Sequence, residues 1–195
     1  MVKMMRGLVT VLIMMVFFHT VNAQSQSIGV RLGDPMGISY KRYLPNHKAL
    51  EFGLGSASPG WNHTYYQNSF DASNKYEGYI YQSHRVQSTL YLQGRYVLDY
   101  KIEIDGMVGE LDWYWGLGVM LKFAGVTYQY RDQDQNNISD SRTDVDFGPE
   151  GIVGMEYTFE DVPLTVFGEI SLLLELADRP GAFRPFAGIG VRYNF

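Results

Sequence analysis

Apolar and polar side chains alternate along most of this chain with a period of two residues. A period of two is typical of β-strands whose two faces meet different environments. Residues that favour turns, such as Pro, Gly, Asn and Asp, separate the alternating stretches. The pattern predicts eight strands, at residues 28–33, 37–44, 48–56, 84–98, 113–126, 147–159, 164–176 and 183–195.

The first two predicted strands are short. Asp34-Pro35-Met36-Gly37 has residues that a tight turn favours, and each flanking segment is shorter than the ~9–11 residues of a typical membrane-spanning strand. Two short strands joined by a hairpin are the favoured interpretation of residues 27–44. One long strand bent at Pro35 is the alternative.

The connections indicate which ends of the strands lie together. An even number of antiparallel strands places both termini on one side of the sheet. The connections at 45–47, 99–112 and 160–163 are then on the side of the termini. The two longest, at 57–83 and 127–146, are on the opposite side and are predicted to be polar, extracellular loops.

The two faces of the predicted sheet differ in charge. One face is almost free of charge, whereas the other carries glycines and charged residues. Eight strands enclose an interior just wide enough for side chains, and buried charges persist only when they are paired. We therefore predict a lumen plugged by ion pairs, with a water-soluble barrel of reversed faces as the alternative. The predicted interior residues are Arg31, Lys41, Glu51, Arg85, Arg95, Lys122, Glu150, Glu156, Glu169, Glu175, Arg184 and Arg192.

Aromatic residues gather on the apolar face near the side of the termini. Such a band is expected where a barrel wall meets the interface between a bilayer and water. The predicted girdle consists of Tyr96, Trp113, Trp115, Tyr157 and Phe159.

The last strand carries a specific signature. It alternates to the final carboxylate, with Gly190 inside it and aromatic residues at Tyr193 and Phe195. This strand resembles the insertion signal of bacterial outer-membrane β-barrels. The chain as a whole resembles the small OmpA-like and OmpX-like barrels, and its ending GIGVRYNF is most similar to short outer-membrane barrels of Bacteroidetes-type bacteria.

The resemblance implies an all-β fold, an eight-stranded antiparallel up-and-down transmembrane β-barrel. It also implies location in the cell outer membrane, with membrane lipids and the barrel assembly machinery as partners. No cofactor is implied.

The N-terminus has the features of a secretory signal peptide. Lys3 and Arg6 precede an apolar run at residues 7–18, and small residues lead to a cleavage site after Ala23. The run is shorter than the roughly 20 residues of a membrane-spanning helix. We predict a cleaved signal peptide at 1–23 and one barrel domain at 24–195, with an uncleaved anchor as the alternative.

Charge and cysteine content exclude several classes of function. Two of the 16 basic residues precede residue 24, so the mature part carries 14 basic against 21 acidic residues, a net charge of −7. That charge argues against nucleic acid as a partner. The absence of cysteine excludes disulfides, thiolate metal sites, a cysteine nucleophile and lipoprotein acylation.

Candidate catalytic and metal-binding residues form weak patterns. His84 and Ser88 are roughly 13 Å apart along a strand, too far for a nucleophile and its base. The segment from Asp132 to Asp140 is similar to the opening of a calcium loop, but Asn137 replaces its glycine and Thr143 its bidentate Glu. The sequence therefore predicts no catalytic residue, no metal site and a non-enzymatic protein.

Three functions remain. The favoured one is a structural or surface-interaction barrel with a plugged lumen, and a narrow pore or transporter for small solutes is the alternative. A lipid-modifying enzyme is less favoured. The aromatic, Asn-rich segment 57–83 has a composition typical of adaptable binding surfaces, so it is a candidate site for an extracellular ligand.

Overall fold

The computed structural model of the chain describes residues 25–56, 63–71, 73–177 and 180–195. The predicted signal peptide at 1–23 lies outside these residues. No helix in the described part of the chain is long and apolar enough to cross a membrane.

Eight antiparallel strands form a closed barrel in which each strand pairs with its neighbours in sequence. The strands are β1 (Gln26–Asp34), β2 (Met36–Leu44), β3 (Lys48–Ser56), β4 (Ile80–Ile102), β5 (Glu110–Arg131), β6 (Asn137–Thr158), β7 (Leu164–Leu174) and β8 (Phe183–Asn194). β1 pairs with β8 and closes the ring. The predicted fold class is confirmed. The two-strand interpretation of residues 27–44 is also confirmed, because β1 and β2 form an antiparallel pair that turns at Pro35.

Three strands continue beyond the barrel at the end opposite the termini, which we call the loop end; the other is the terminal end. β4 pairs with β3 only up to Tyr91, and β6 pairs with β7 only up to Glu150. Beyond these levels β4, β5 and β6 stay paired with one another, up to Arg131 opposite Asn137. We call residues 80–90, 123–131 and 137–145 the upper sheet. The predicted loop at 127–146 is therefore wrong, since most of it is strand.

A short helix covers one face of the upper sheet. α1 (His63–Asp71) and a 3-10 turn (Asn74–Tyr76) come from the segment predicted as a long loop, of which residues 57–62 and 72 lie outside the described part. Apolar residues from both sides form a buried cluster that we call the aromatic cap: Tyr66, Phe70, Tyr76, Ala124, Val126, Tyr128 and Tyr130. The aromatic rings pack closely, with the Phe70 and Tyr76 centroids 4.3 Å apart.

The faces of the barrel have the orientation predicted from the alternation. The outward face is apolar and exposed, for example at Leu117 and Ile189, both 65% exposed. The inward face carries charged residues that are almost fully buried, among them Lys41 and Arg192 at 0%. This is the reverse of a water-soluble barrel.

Candidate functional site

The interior of the barrel is the candidate site, and it consists of stacked layers. Several strands present the same order of inward residues from the terminal end to the loop end. On β5 the order is Tyr114, Met120 and Lys122, and on β7 Glu169 is followed by Leu173. A polar layer, an apolar layer and a second polar layer therefore follow one another along the barrel axis.

The polar layer near the terminal end is a continuous chain of ion pairs, which we call the lower network. Lys41 Nζ contacts Asp99 at 2.7 Å and Glu156 at 2.9 Å. Arg192 joins Glu156 at 3.1 Å to Glu51 at 3.0 Å. Each of these carboxylates is bound to at least one cation, and Glu156 is bound to two. The network therefore crosses the lumen from one side of the barrel to the other.

Arg95 is the hub at the upper end of the lower network. Its guanidinium contacts Glu150 at 2.7 Å, Glu169 at 2.8 Å and Glu51 at 3.4 Å, and its side chain is 0% exposed. Arg31 Nε lies 2.8 Å from the same Glu169 carboxylate. One arginine therefore connects carboxylates of three strands, a geometry that the planar guanidinium fork suits.

Inward glycines give the large side chains of the lower network their space. A Cβ built on Gly188 lies 2.7 Å from Arg31 Nε, and one built on Gly190 lies 2.4 Å from the Phe167 ring. That ring in turn stacks on Arg192, whose guanidinium carbon is 3.7 Å from the ring centroid. The terminal strand needs glycine at these positions because the interior is otherwise full.

An apolar layer separates the lower network from the charges above it. Met120, Leu173 and Phe186 form one buried cluster, with exposures of 0%, 0% and 3%. Phe186 lies on β8 between Arg184 above and the glycines that face Arg31 below. This layer places apolar side chains across the path that an ion would follow.

The second polar layer, the upper cluster, lies beneath the aromatic cap. Lys122 Nζ contacts Asp146 at 2.8 Å and donates a hydrogen bond to the Tyr66 hydroxyl at 3.2 Å. Arg184 also pairs with Asp146. Tyr66 belongs to α1, so this helix is hydrogen-bonded to the charges in the mouth of the barrel.

Eleven of the twelve predicted interior residues are buried among the described residues. Arg85 is the exception, because it is exposed on the outward face. Register shifts between Val86 and Ser88, and between Tyr81 and Ser83, each add a residue to β4 relative to β5. An extra residue reverses the alternation, so that Val86 packs on the aromatic cap and Arg85 points away from it.

The sequence missed several interior carboxylates. Asp34, Asp99, Asp144 and Asp146 are each no more than 9% exposed, although they were assigned to turns or loops. Within the described residues the buried charged groups are therefore six cations and nine carboxylates, instead of the predicted seven and five. Glu175, at the loop end, accepts backbone N–H bonds from Phe147 at 3.1 Å and from Ala177 at 2.9 Å.

The predicted girdle residues lie on the outward face of the barrel. Tyr96, Trp113, Trp115 and Phe159 are 40–43% exposed, and Tyr157 is half-buried against Phe159. In the terminal strand, Tyr193 is exposed, Phe195 is half-buried and Gly190 faces the lumen. Tyr100 was missed, although it stacks on Trp113 with ring centroids 4.8 Å apart.

A polar cavity of about 530 Å³ opens at the terminal end. Asp99, Asp112 and Glu156 line it together with His47 and Lys48. Two of the carboxylates that line it, Asp99 and Glu156, bind the Lys41 ammonium. Within the described residues no group of three or more potential ligands is placed to hold a metal ion.

The other candidate residues have structural partners. His84 Nδ1 lies 2.6 Å from the Tyr81 hydroxyl, and its ring packs on Tyr66 of the aromatic cap. Asp132 closes the turn between β5 and β6 by accepting hydrogen bonds from Asn136, which lower the pKa of its carboxyl group. The side chain of Ser88 lies outside the described part of the structure.

A surface ion pair holds the aromatic cap against β6. Asp140 accepts hydrogen bonds from Lys75 at 2.5 Å and from Tyr76 at 2.8 Å, and these bonds lower the pKa of its carboxyl group. Burial, followed by the hydrogen bond to Asp140, raises the pKa of the Tyr76 hydroxyl. Two aspartates of the segment that is similar to a calcium loop, Asp132 and Asp140, therefore bind other residues of the chain.

Comparisons with known proteins concern the fold. No family model and no curated protein matches the chain. A crystal structure of the N-terminal β-barrel domain of Pseudomonas aeruginosa OprF is 13% identical with a TM-score of 0.49, covering 87% of this chain and 95% of that chain. The crystal structure of Ail, the attachment invasion locus protein of Yersinia pestis, in complex with the heparin analogue sucrose octasulfate is 11% identical with a TM-score of 0.36, covering 88% of this chain and 97% of that chain. Both are small outer-membrane barrels of eight strands.

Proposed function

We propose that this chain is a bacterial outer-membrane barrel with a closed lumen and a structural or surface-interaction role. The observation that carries the proposal is the orientation of the two faces. Apolar residues cover the outside of the barrel, and the charges inside it are paired. Such a wall is favourable in hydrocarbon and unfavourable in water.

The girdle and the lengths of the connections together support an orientation of the barrel in the membrane. Aromatic residues such as Trp113 and Trp115 lie near the terminal end, as aromatic residues do at membrane interfaces. The longest segments beyond the barrel wall lie at the loop end, where extracellular loops are expected. We place the terminal end in the periplasm and the upper sheet outside the cell. Export by the predicted signal peptide and insertion by the barrel assembly machinery, which reads the last strand, belong to this proposal.

Three closures in series support a non-conducting lumen. The lower network, the apolar layer and the upper cluster with its aromatic cap each cross the barrel. The side chains of Met120, Leu173 and Phe186 offer a passing ion no polar group in place of its hydration shell. The pore alternative therefore requires these layers to move.

The upper sheet supports the surface-interaction role. Its outward face carries a ladder of hydroxyl and amide groups that bond across the strands, such as Ser83 to Gln129 at 2.8 Å and Gln87 to Thr127 at 2.7 Å. These groups are exposed and neutral. The loop aromatics contribute less to that surface than the composition indicates, because Tyr66, Phe70 and Tyr76 are buried in the aromatic cap.

Two measurements test the proposal. The mature protein should fractionate with outer membranes and migrate faster on a detergent gel before boiling than after it. It should also give no unit conductance in planar bilayers, where a porin serves as the positive control. A soluble periplasmic protein would overturn the membrane placement, whereas discrete conductance steps from the folded barrel would overturn the closed lumen alone and favour the pore.

A further inference from the structure

A groove runs along the outward wall of the barrel where one side chain is missing. At one level of the barrel, Tyr40, Phe52, Gly94 and Val119 are register partners on four successive strands. Gly94 has no side chain, and the neighbouring outward residues rise around it. The resulting groove measures about 570 Å³, and its lining includes Ile38, Tyr40, Phe52, Leu54, Val119 and Leu121.

A charged residue lies on the outward face of β2, two positions beyond the groove residue Tyr40. Ile38, Tyr40 and Arg42 alternate along β2, so they point to the same side at intervals of roughly 7 Å. Arg42 is exposed, and within the described residues its side chain has no hydrogen bond or ion pair. Its register partner Leu50 pairs with Tyr96 of the girdle, so Arg42 lies at the level of the interface.

The neighbourhood of Arg42 on the outward wall is polar. Tyr40 extends its hydroxyl to Gln26, with the two oxygens 2.6 Å apart, and Gln26 is the other register partner of Arg42. Lys48 adds a second exposed cation one step nearer the terminal end. A cationic, hydrogen-bonding patch thus lies beside the apolar groove, on its side nearer the terminal end.

We propose that this groove holds one phospholipid of the periplasmic leaflet, with an acyl chain over Gly94 and an anionic headgroup at Arg42. The inference rests on the proposed membrane placement and adds a ligand to it. Charge decides the occupant, because an unpaired cation at interface level matches a phosphate group. The volume of the groove is also consistent with one bound molecule, because it lies in the range of ~300–1,000 Å³ that is typical of sites for a single small ligand.

The outward wall of the barrel offers a test substitution and a matched control for this site. Gly94→Leu fills the groove, and a Cβ at Gly94 has only ordinary contacts, the nearest being Phe52 at 3.9 Å. Gly151→Leu is the control, since its nearest atom is Leu117 Cδ2 at 4.0 Å and Gly151 does not line the groove. For the headgroup, Arg42→Gln is compared with Arg85→Gln, an exposed arginine on the upper sheet.

The experiment is native mass spectrometry of the full chain, extracted from membranes and exchanged through nanodiscs of equal phosphatidylglycerol and phosphatidylcholine. We expect the wild type to retain one phospholipid with a preference for phosphatidylglycerol. Arg42→Gln should reduce that preference roughly tenfold, the size of a lost charge-assisted contact. Gly94→Leu should remove retention of either lipid, and both controls should behave as the wild type.

The outcomes separate this inference from the membrane placement. Variants that still migrate faster before boiling but bind lipid as the wild type does would overturn the phospholipid site alone. Equal losses of lipid retention in Gly94→Leu and Gly151→Leu would also overturn the phospholipid site. So would retention of lipid A in place of phospholipid. A dimer of the wild type that Gly94→Leu dissociates would likewise overturn it, because a second copy of the chain would then occupy the groove. Loss of the gel shift in the wild type would overturn the membrane barrel itself.

Discussion

Arg95→Met tests whether the lower network stabilises the barrel. Removing the guanidinium affects its three carboxylate partners unequally. Glu51 keeps Arg192 at 3.0 Å, and Glu169 keeps Arg31 at 2.8 Å. Glu150 keeps only the Gln93 side-chain amide, at 3.1 Å, within the described residues. The substitution therefore leaves one fully buried carboxylate without a cation.

The expected magnitude follows from that count. Breaking a buried ion pair by removing one partner costs about 3–5 kcal/mol, because the remaining charge is desolvated and unpaired. Adding Glu150→Gln removes that charge, so the double variant should regain most of the lost stability. The coupling free energy between the two positions should exceed about 2 kcal/mol, as expected for residues of one network.

Urea titration in lipid vesicles measures the free energy of unfolding, with tryptophan fluorescence and the gel shift of unboiled samples as two independent signals. Lys101→Met is the control, because the Lys101–Glu110 pair at 2.6 Å is exposed and should contribute nothing measurable. Unchanged stability in Arg95→Met would refute the reasoning. A double variant as unstable as Arg95→Met would refute the assignment to Glu150.

Three further predictions concern packing and pH. Gly190→Ala should lower the yield of folded barrel on unboiled gels, since its Cβ meets the backbone oxygen of the facing strand at 2.4 Å, whereas Gly168→Ala should not, because its nearest atom is 3.8 Å away. Phe186→Ala should lower the free energy of unfolding in urea by about 3–5 kcal/mol through the cavity left in the apolar layer, and a loss below about 1 kcal/mol would contradict that layer's role. Asp140 has a pKa lowered in the fold, so its contribution is present at neutral pH and is lost as the pH falls below its ordinary value of 3.8. Amide protection in residues 63–71 and 73–76, corrected for the pH dependence of the intrinsic exchange rate, should then fall in acid for the wild type and stay constant in this range for Asp140→Asn; the same acid response in both would contradict the role of the ion pair with Lys75.

The alternation of side chains was sufficient to predict the barrel and most of its interior. Eleven of the inward charges, among them Arg31 and Arg192, could be assigned because the strand period fixes the face of every residue in a strand once one residue is placed. Arg85 was assigned to the wrong face because the pattern of polar and apolar residues in the sequence does not show where a β-bulge lies. Only the pairing of β4 with β5 shows the inserted residue.

The upper sheet and its aromatic cap were not predictable by the same rule. Strands in water and strands in a membrane differ in polarity, so Asp144 and Asp146 were interpreted as part of a loop, although both are buried, Asp144 in the upper sheet and Asp146 at the mouth of the barrel. The helix α1 left one signal, the spacing of Tyr66 and Phe70 by four residues, which places both on one helical face. The partners of that face are far away in sequence, on β5.

The pairing of β1 with β8 has a consequence for the order of assembly. Every other strand pair joins neighbours in sequence, whereas this pair, which we call the seam, joins residues from the two ends of the barrel domain. The seam therefore has the greatest entropic cost of closure. Its two strands carry Arg31 and Arg192, which bind carboxylates on β3, β6 and β7. In a sheet that is open at this seam, Arg31 is separated from Glu169 and Arg192 from Glu51, so these carboxylates stay hydrated. Docking of the seam brings the two ion pairs together and expels the water between them, so closure of the barrel and completion of the lower network are one step.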